Sequence, residues 1–510
     1  MNFGKNTRSA LVVTMALALS LFPAQAKAGK GSEKPNIIIL LADDLGRADL
    51  GYRGSDIQTP NIDRLAREGM RLERFYTMPI CTPTRSALLT GRDPMKLGLA
   101  YAGLQPWENG GIAPQEHLMP QSFKAAGYQT AMVGKWHLGR SYESLVPHHR
   151  GFDHFYGHLN TQVTYFEHKS TGGHDLQENG VSVNRDGEYA TDIHGSEAVR
   201  YLTELRDKDK PFFLYVPFLA PHSPMEAPES LRAKYQDTRR DLPFPKKTYA
   251  AMVDSMDQAI GKILAAVDAE GIADNTIILF FSDNGGFAGF GGDNTPLRGG
   301  KLETFEGGIR VNAVIRWPEL IAQGSVSEDI FSVMDVFPTF AKAANIDMLG
   351  EKPLDGRSRM TVLEGGRYTD RPGKLFFASN SPEYNMFQLS VIDGNDKLVQ
   401  IIDHTNTGTM IENYLFNLEQ DPEEQNNLAE TNPLLVKKLA REINDWRAGH
   451  PVSGLLVSIS PHPAWRAPKD FAEDIRPDDK TKLTPYQGFG TLATQVLQRR
   501  YGDKGRIEYK

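Results

Sequence analysis

Four short apolar runs in this chain each end in polar residues suited to chemistry, and that pattern limits the fold more than any other feature. Asn36-Ile37-Ile38-Ile39-Leu40-Leu41 runs into Asp43-Asp44, and Thr276-Ile277-Ile278-Leu279-Phe280-Phe281 runs into Asp283-Asn284-Gly285-Gly286. Phe212-Phe213-Leu214-Tyr215-Val216 leads to Pro221-His222, and Gln129-Thr130-Ala131-Met132-Val133 leads to Gly134-Lys135-Trp136-His137-Leu138-Gly139. Short, continuous apolar runs read as strands buried on both faces, the kind found in parallel sheets covered by helices. Between them, Tyr249, Met252, Val253, Met256, Ile260, Ile263, Leu264 and Val267 recur at helical spacing before Gly271. Ile62, Leu65 and Met70 do the same after Thr59-Pro60. The alternation predicts an α/β sandwich with a large, mostly parallel sheet flanked by helices. Ligands of open α/β sheets bind beyond the carboxyl ends of the strands, so the four polar ends are expected to share one site.

After about residue 375 the pattern changes. Gln388–Ile392, Lys397–Ile401 and Tyr414–Leu418 are joined by Gly-Asn and polar turns, which predicts a small antiparallel sheet. A helix is expected from about Asn432 to Ala448, and the Pro-rich remainder from Pro451 is expected to pack on the main domain. The predicted organisation is a main α/β domain over 29–375, a small α+β subdomain over 376–450 and an extension over 451–510. Residues 1–28 read as an export signal: Lys5 and Arg8, an apolar stretch from Ala10 to Phe22, and Ala24-Gln25-Ala26 or Ala26-Lys27-Ala28 as the cleavage site. The mature protein is expected in a periplasm or outside the cell, with no membrane contact once the signal is removed. A net charge of −7 argues against nucleic acid as a general partner, while leaving room for an anionic substrate in a locally basic pocket.

The single cysteine of the 510 residues, Cys81, has no partner for an internal disulfide. It is either a small buried hydrophobe or a residue with chemistry, and its neighbours favour the second. Thr82 is expected to cap a helix, Pro83 to take its first position, and Gly91 to end it. Cys81 then faces a helix N-terminus, where backbone amides favour an anion, and Arg85 adds a fixed positive fork one turn in. Asp43, Asp44, Asp283 and Asn284 offer only oxygen ligands, which suits a hard divalent cation such as Ca²⁺. Either acidic pair alone could equally be a helix cap or a turn; two such pairs at strand ends favour the metal. Lys135, His137, His222 and Lys301 add cationic and proton-carrying groups, and the glycines beside Lys135 and Lys301 let those side chains approach a ligand closely.

The segments Leu41–Gly46, Cys81-Thr82-Pro83-Thr84-Arg85 through Arg92, Gly134–Gly139, Pro221-His222, Ser282–Gly286 and Arg298-Gly299-Gly300-Lys301 through Arg310 together resemble the type I, formylglycine-dependent sulfatases. Within that family the chain is most similar to the arylsulfatase B, or N-acetylgalactosamine-4-sulfatase, group, through Arg150-Gly151-Phe152-Asp153 and Trp317-Pro318 as well. The resemblance implies an alkaline-phosphatase-like fold and a Cys81 oxidised by a formylglycine-generating maturation enzyme. The aldehyde so formed hydrates to a diol: one oxygen attacks sulfur and the other expels sulfate, where serine would leave a stable ester. It also implies Ca²⁺ held by Asp43, Asp44, Asp283, Asn284 and the modified Cys81. Arg85 would orient the diol, Lys135 and Lys301 would clamp the sulfate, His222 would protonate the leaving alcohol and His137 would take the diol proton. Asn312 follows Arg310-Val311 where many sulfatases have proline.

Six of the thirteen histidines lie between residues 148 and 174, together with Arg150, Tyr156, Tyr165, Phe166 and Lys169. This stretch is either a solvated insertion or a subsite in which His149 and Arg150 contact a sulfated sugar. The expected substrate is a sulfated galactose- or N-acetylgalactosamine-containing polymer such as a 4-sulfated carrageenan or chondroitin. A phosphonate or phosphodiester hydrolase of the same superfamily, or a non-catalytic polysaccharide-binding protein with unmodified Cys81, are the alternatives.

Overall fold

Every residue from Ile37 to Ala42 is fully buried, and alternate side chains enter opposite faces of one sheet. Ile37, Ile39 and Leu41 join one apolar cluster while Ile38, Leu40 and Ala42 join the other. With both faces covered, the run is continuously apolar rather than alternating. The computed structural model describes Met1, Asn2, Gly4 and residues 34–236, 246–367, 373–381, 386–405, 408–451, 461 and 463–478. The stretch read as an export signal falls, those three residues aside, outside the described residues, as does the chain from 479 onward. Residues from Lys34 form one compact unit, and among the described residues no helix is long and apolar enough to cross a membrane.

The strands that position the site are β1 (Asn36–Ala42), β2 (Met70–Tyr76), β3 (Gln129–Lys135), β4 (His154–His158), β5 (Phe212–Pro217), β6 (Thr276–Ser282) and β7 (Ala313–Arg316). They lie in an eleven-stranded sheet in the order β4, β3, β5, β1, β6, β7, β2. The central five, β4 to β6 in that order, are parallel, whereas β7 runs antiparallel to both β6 and β2. Helices α1 (Pro60–Glu68), α3 (Ala190–Arg200) and α4 (Lys246–Ala269) pack together over one face. The other face is covered in part by α2 (Cys81–Thr90).

The second, smaller sheet is a four-stranded antiparallel meander of β8 (Leu375–Ser381), β9 (Met386–Asp393), β10 (Asp396–Thr405) and β11 (Gly408–Asn417). Sequence reading finds the last three and misses β8, the strand on which the expected domain boundary falls. One face of the meander, Leu389, Val391, Leu398 and Leu415, packs with Leu439 and Ile443 of α5 (Pro433–Arg447). The opposite face, including Leu375, Phe377, Val399 and Phe416, joins the main core. Of the C-terminal extension, the described part lies on the main body: Phe471 is buried, its amide donates to His174 O at 2.9 Å, and Asp474 pairs with Arg140 at 3.0 Å.

A buried ion cluster also ties the meander to the main body. Lys397 Nζ lies 2.9 Å from Glu306 Oε1 and 2.8 Å from Glu424 Oε1, with all three side chains fully excluded from solvent. Tyr76 donates to the other Glu306 oxygen at 3.0 Å, and Glu424 Oε2 accepts the Glu306 amide at 2.6 Å. Removing one member strands buried charge, which costs about 3–5 kcal/mol. Lys397→Met should therefore lower unfolding free energy by about that amount in a urea titration. The double variant Lys397→Met with Glu424→Gln should recover part of the loss, because one of the two stranded carboxylates is then neutral.

Candidate active site

The parallel register sets Ala42 level with Ser282, and Asp283 N continues the ladder by donating to Ala42 O at 3.0 Å. Asp43 and Asp283 therefore leave the sheet side by side, and Lys135, the last residue of β3, enters the same space. Gly134 makes this approach feasible. At φ +130 it adopts a backbone that other residues rarely take, and a Cβ there would lie 2.0 Å from Pro217 O on β5.

Helix α2 begins two residues earlier than expected, with Ile80 as its N-cap and Cys81 as its first residue. Thr82 does not cap it. Its hydroxyl donates to His137 O at 3.1 Å and accepts from Leu104 N at 3.1 Å, joining the helix start to the loop after β3. Gly91 ends the helix in the left-handed conformation, at φ 65, as expected. Every residue of this helix is buried, and the Cys81 thiol donates to Asp43 Oδ1 at 3.3 Å.

Beneath the cysteine the charges interlock. Arg85 donates to Asp283 Oδ2 from Nε at 3.2 Å and Nη2 at 2.9 Å, to Asp43 Oδ2 at 3.2 Å and to Lys135 O at 3.0 Å. Lys135 Nζ lies 2.5 Å from Asp43 Oδ2, with both side chains wholly buried. Asp44, at φ 68, accepts from Lys301 at 2.7 Å and from Asn284 Nδ2 at 2.8 Å, and its own amide donates to Asp283 Oδ1 at 3.3 Å. Lys301 Nζ is 3.7 Å from Cys81 Sγ, and His222 Nε2 is 3.7 Å from Asp44 Oδ2.

Burial raises the Asp43 carboxyl, but Lys135, His222, Arg85 and Lys301 together outweigh it and hold that group well below the usual carboxylate range. Asp283 is pushed up to about 7 by burial and then by the charge of Asp43. The Cys81 thiol is raised well above its ordinary value, first by burial and then by Asp283 and Asp43. Burial lowers His222 to about 4, reinforced by Lys301 and opposed by Asp44. His137 is lowered well below its usual value by burial, then by Lys135 and Arg85.

The imidazoles are held by backbone. His222 Nδ1 bonds Ser223 O at 2.7 Å, which directs Nε2 toward Asp44. His137 Nε2 bonds Leu104 O at 2.8 Å, and its buried Nδ1 has no partner. A cavity of about 350 Å³ opens above this floor, lined by Asp44, Cys81, His137, His222 and Lys301 among others. Lys135 and Arg85 are not part of its lining; they lie under it.

Asn284 decides how well these residues suit a divalent cation. Its Nδ2 donates to Asp44 Oδ1 and Gly285 O, which leaves a fully buried Oδ1 without a partner. A bare amide oxygen among three buried carboxylates is the donor set of a hard cation. One atom each from Asp43, Asp44, Cys81 and His222 also lies within 4.8 Å of the others. The residues fit such an ion.

The expected contact of His149 and Arg150 with substrate is not what the structure shows. Arg150 is buried, and its guanidinium donates to Ile112 O, Ser144 O, Ala113 O and Glu116 O at 2.9, 3.1, 3.3 and 2.8 Å. His149 is exposed beside His148, and neither His149 nor Arg150 lines the cavity. The same stretch reaches the cavity instead through Thr161 and Gln162, two neutral residues without the charge or ring that would single them out in sequence. Sequence reading also misses Gln105, Phe287, Phe290 and Asn380 on the cavity wall. Asn312, unexplained by sequence, is a buried brace: its Nδ2 donates to Gly46 O at 3.2 Å and Arg47 O at 2.9 Å, and its Oδ1 accepts from Tyr52 and Arg53. It thus holds the loop that follows Asp43 and Asp44.

Comparison with known proteins agrees with this geometry. A family model described as Sulfatase matches residues 35–346, and one described as N-sulphoglucosamine sulphohydrolase, C-terminal, matches residues 301–448. Arylsulfatase J of Mus musculus is 38% identical over 345 residues, 66% of this chain and 57% of that protein. N-acetylgalactosamine-6-sulfatase of Mus musculus is 35% identical over 393 residues, 71% of this chain and 73% of that protein. The crystal structure of Ps i-CgsB in complex with k-i-k-neocarrahexaose superposes with a TM-score of 0.74 at 31% identity, covering 82% of this chain and 94% of that one. The chain belongs to the sulfatase family.

Replacing Arg150 with alanine leaves its carbonyl partners without their donor inside the fold. Arg150→Ala should destabilise the protein by on the order of 3 kcal/mol in chemical denaturation. The protein that remains folded should turn over substrate at the parental kcat.

Proposed function

We propose that this chain is an exported, formylglycine-dependent sulfatase acting on a sulfated galactose- or N-acetylgalactosamine-containing glycan, with the 4-sulfate as the favoured position. The observation that carries the reading is the placement of Cys81 Sγ at the cavity floor, 3.3 Å from Asp43 Oδ1 and 3.7 Å from Lys301 Nζ, with His137 and His222 on the walls. The glycan is supported by the relatives, one named for N-acetylgalactosamine and one crystallised with a neocarrahexaose. The 4-position rests on the resemblance to the N-acetylgalactosamine-4-sulfatase group. Export rests on the charged and apolar pattern of residues 1–28.

The raised thiol supports modification, because a cysteine held as a neutral thiol by burial and then by neighbouring carboxylates is a poor nucleophile. Formylglycine at this position would supply a hydrated aldehyde as the oxygen nucleophile. Asp43, Asp44, Asp283, Asn284 and the modified residue 81 would hold Ca²⁺, which would supply positive charge beside the ester. Lys301 is the cation that both lines the cavity and lies beside residue 81, so it is placed to neutralise charge developing on the sulfate oxygens. His222, fixed through Nδ1, presents Nε2 to the cavity as the acid for the departing alcohol; an anionic ester there favours its protonated form. His137, neutral and with Nδ1 free, is the base that receives the proton released at residue 81. Arg85 and Lys135, beneath the floor, hold the Asp43 and Asp283 carboxylates in place.

Protein from its own host should yield a tryptic peptide ending at Arg85 that carries the aldehyde at position 81, read by mass spectrometry. A thiol there in active protein sinks the mechanism. The same preparation should release sulfate from a 4-sulfated galactose glycan faster than from its 6-sulfated isomer, and should turn over a phosphodiester far more slowly. The reverse order on ester and diester would favour the phosphodiester hydrolase. Chelation with EDTA should remove activity and Ca²⁺ should restore it. Cys81→Ala should lower kcat by about a thousandfold or more.

A further inference from the structure

Beyond the reacting groups, the cavity wall is neutral. Gln105, Gln162 and Asn380 supply side-chain amides, Thr161 and Ser223 supply hydroxyls, and Phe287 and Phe290 form an aromatic pair with ring centroids 4.9 Å apart. Among the described residues of the lining, Lys301 is the only Lys or Arg, and His137 and His222 are held by backbone carbonyls. The neutral groups come from separate parts of the chain and are individually braced. Gln105 follows Leu104, whose carbonyl holds His137, and its backbone N–H donates to Glu108 Oε2 at 2.7 Å. Asn380 lies on β8, the strand of the small sheet that reaches the reaction centre, and its backbone N–H donates to Tyr101 O at 2.8 Å. Gln162 accepts from Ser223 Oγ at 3.2 Å, next to His222.

We infer that this wall is a subsite for a single sugar ring that carries the scissile sulfate and no other charge, with Gln105, Gln162 and Asn380 reading its hydroxyls and the Phe287–Phe290 pair facing its apolar side. The inference rests on the sulfatase reading above and names its substrate class. Neutral amides match hydroxyls, which both donate and accept. A volume of about 350 Å³ lies at the small end of ligand pockets, room for one ring with its sulfate. A second sulfate or a carboxylate on that ring would meet amides and phenyl rings, with no further cation among the described lining residues to replace its water. Charge along the rest of a polymer is not restricted, because neighbouring rings lie outside this cavity.

The test uses the full chain with Cys81→Ser, so that binding is read without turnover, in calcium-containing buffer and by calorimetry. The probes are galactose 4-sulfate, galactose 6-sulfate and galactose 4,6-disulfate. The better of the two monosulfates should bind at least about tenfold more tightly than the disulfate, a difference comparable to one buried group left without its partner. Asn380→Ala and Gln162→Ala, on two unrelated elements, should each weaken that monosulfate by about three- to tenfold. Gln162 is exposed, so its variant is expected to fold whatever Asn380 contributes. Asn380→Lys should shift the preference toward the disulfate. Equal or tighter binding of the disulfate by the parent, or monosulfate affinities unmoved in both alanine variants, overturns the subsite. Release of sulfate from 4-nitrophenyl sulfate by the matured parent separates the two failures. If that release occurs while the binding pattern fails, the sulfatase reading stands and the subsite falls; if mature enzyme cleaves no sulfate ester, both fall.

Discussion

Three carboxylates, Asp43, Asp44 and Asp283, are buried at the carboxyl edge of the sheet, and three cations, Arg85, Lys135 and Lys301, are held against them. That exchange of ion pairs is the constraint on which the remaining architecture depends. Isolated charges of this kind cannot be buried, so each must arrive with its partner from a different part of the chain. Asp43 and Asp44 follow β1, Asp283 follows β6, Lys135 ends β3, Arg85 lies on α2 and Lys301 in the loop before Glu306. The set is balanced as it stands. A divalent cation among the oxygens would therefore tip the site toward net positive charge, which would favour an anionic ester inside a protein of net charge −7.

The small sheet belongs to the same electrostatic economy. The Lys397 cluster grips Glu306, five residues beyond Lys301, while Arg298 donates to Glu424 O at 3.2 Å. The loop that carries the cavity's ammonium is thus clamped at both ends to the meander and the segment that follows it. Asn380 enters the cavity from the same meander. A module that looks like an appendage in sequence is structurally part of the site.

How much was legible follows from how each residue does its work. The strand ends were readable because a strand buried on both faces admits no polar residue before its end, so Asp43, Lys135, His222 and Asp283 stand out against their apolar runs. The helix carrying Cys81 was readable from Pro83 and Gly91, but it starts two residues before the expected position because the Thr82 hydroxyl serves His137 and Leu104 instead of its own helix. Arg150 was misassigned because a guanidinium that ties four backbone carbonyls has the same letter as one that meets a ligand. Gln105, Gln162 and Asn380 carry no local signal at all: neutral amides are ordinary on any surface, and only the tertiary fold gathers them. Asn312 shows the same limit, since its importance lies in two carbonyls more than 260 positions away.

Charge and neutrality divide the labour of the cavity. The floor concentrates the strong electrostatic partners, and the Cys81 thiol there is driven away from its anionic form first by burial and then by Asp283 and Asp43. A site designed around a thiolate would set cations nearest the sulfur, as a lowered pKa requires. Here Asp43 Oδ1 is the nearer partner at 3.3 Å, against 3.7 Å for the Lys301 ammonium. Such surroundings would suit an oxygen-bearing group at position 81 sharing carboxylates with a hard cation, the chemistry proposed for it. Above that floor, amides and phenyl rings discriminate by fit and hydrogen bonding, and leave the single anionic centre of the substrate with one place to go.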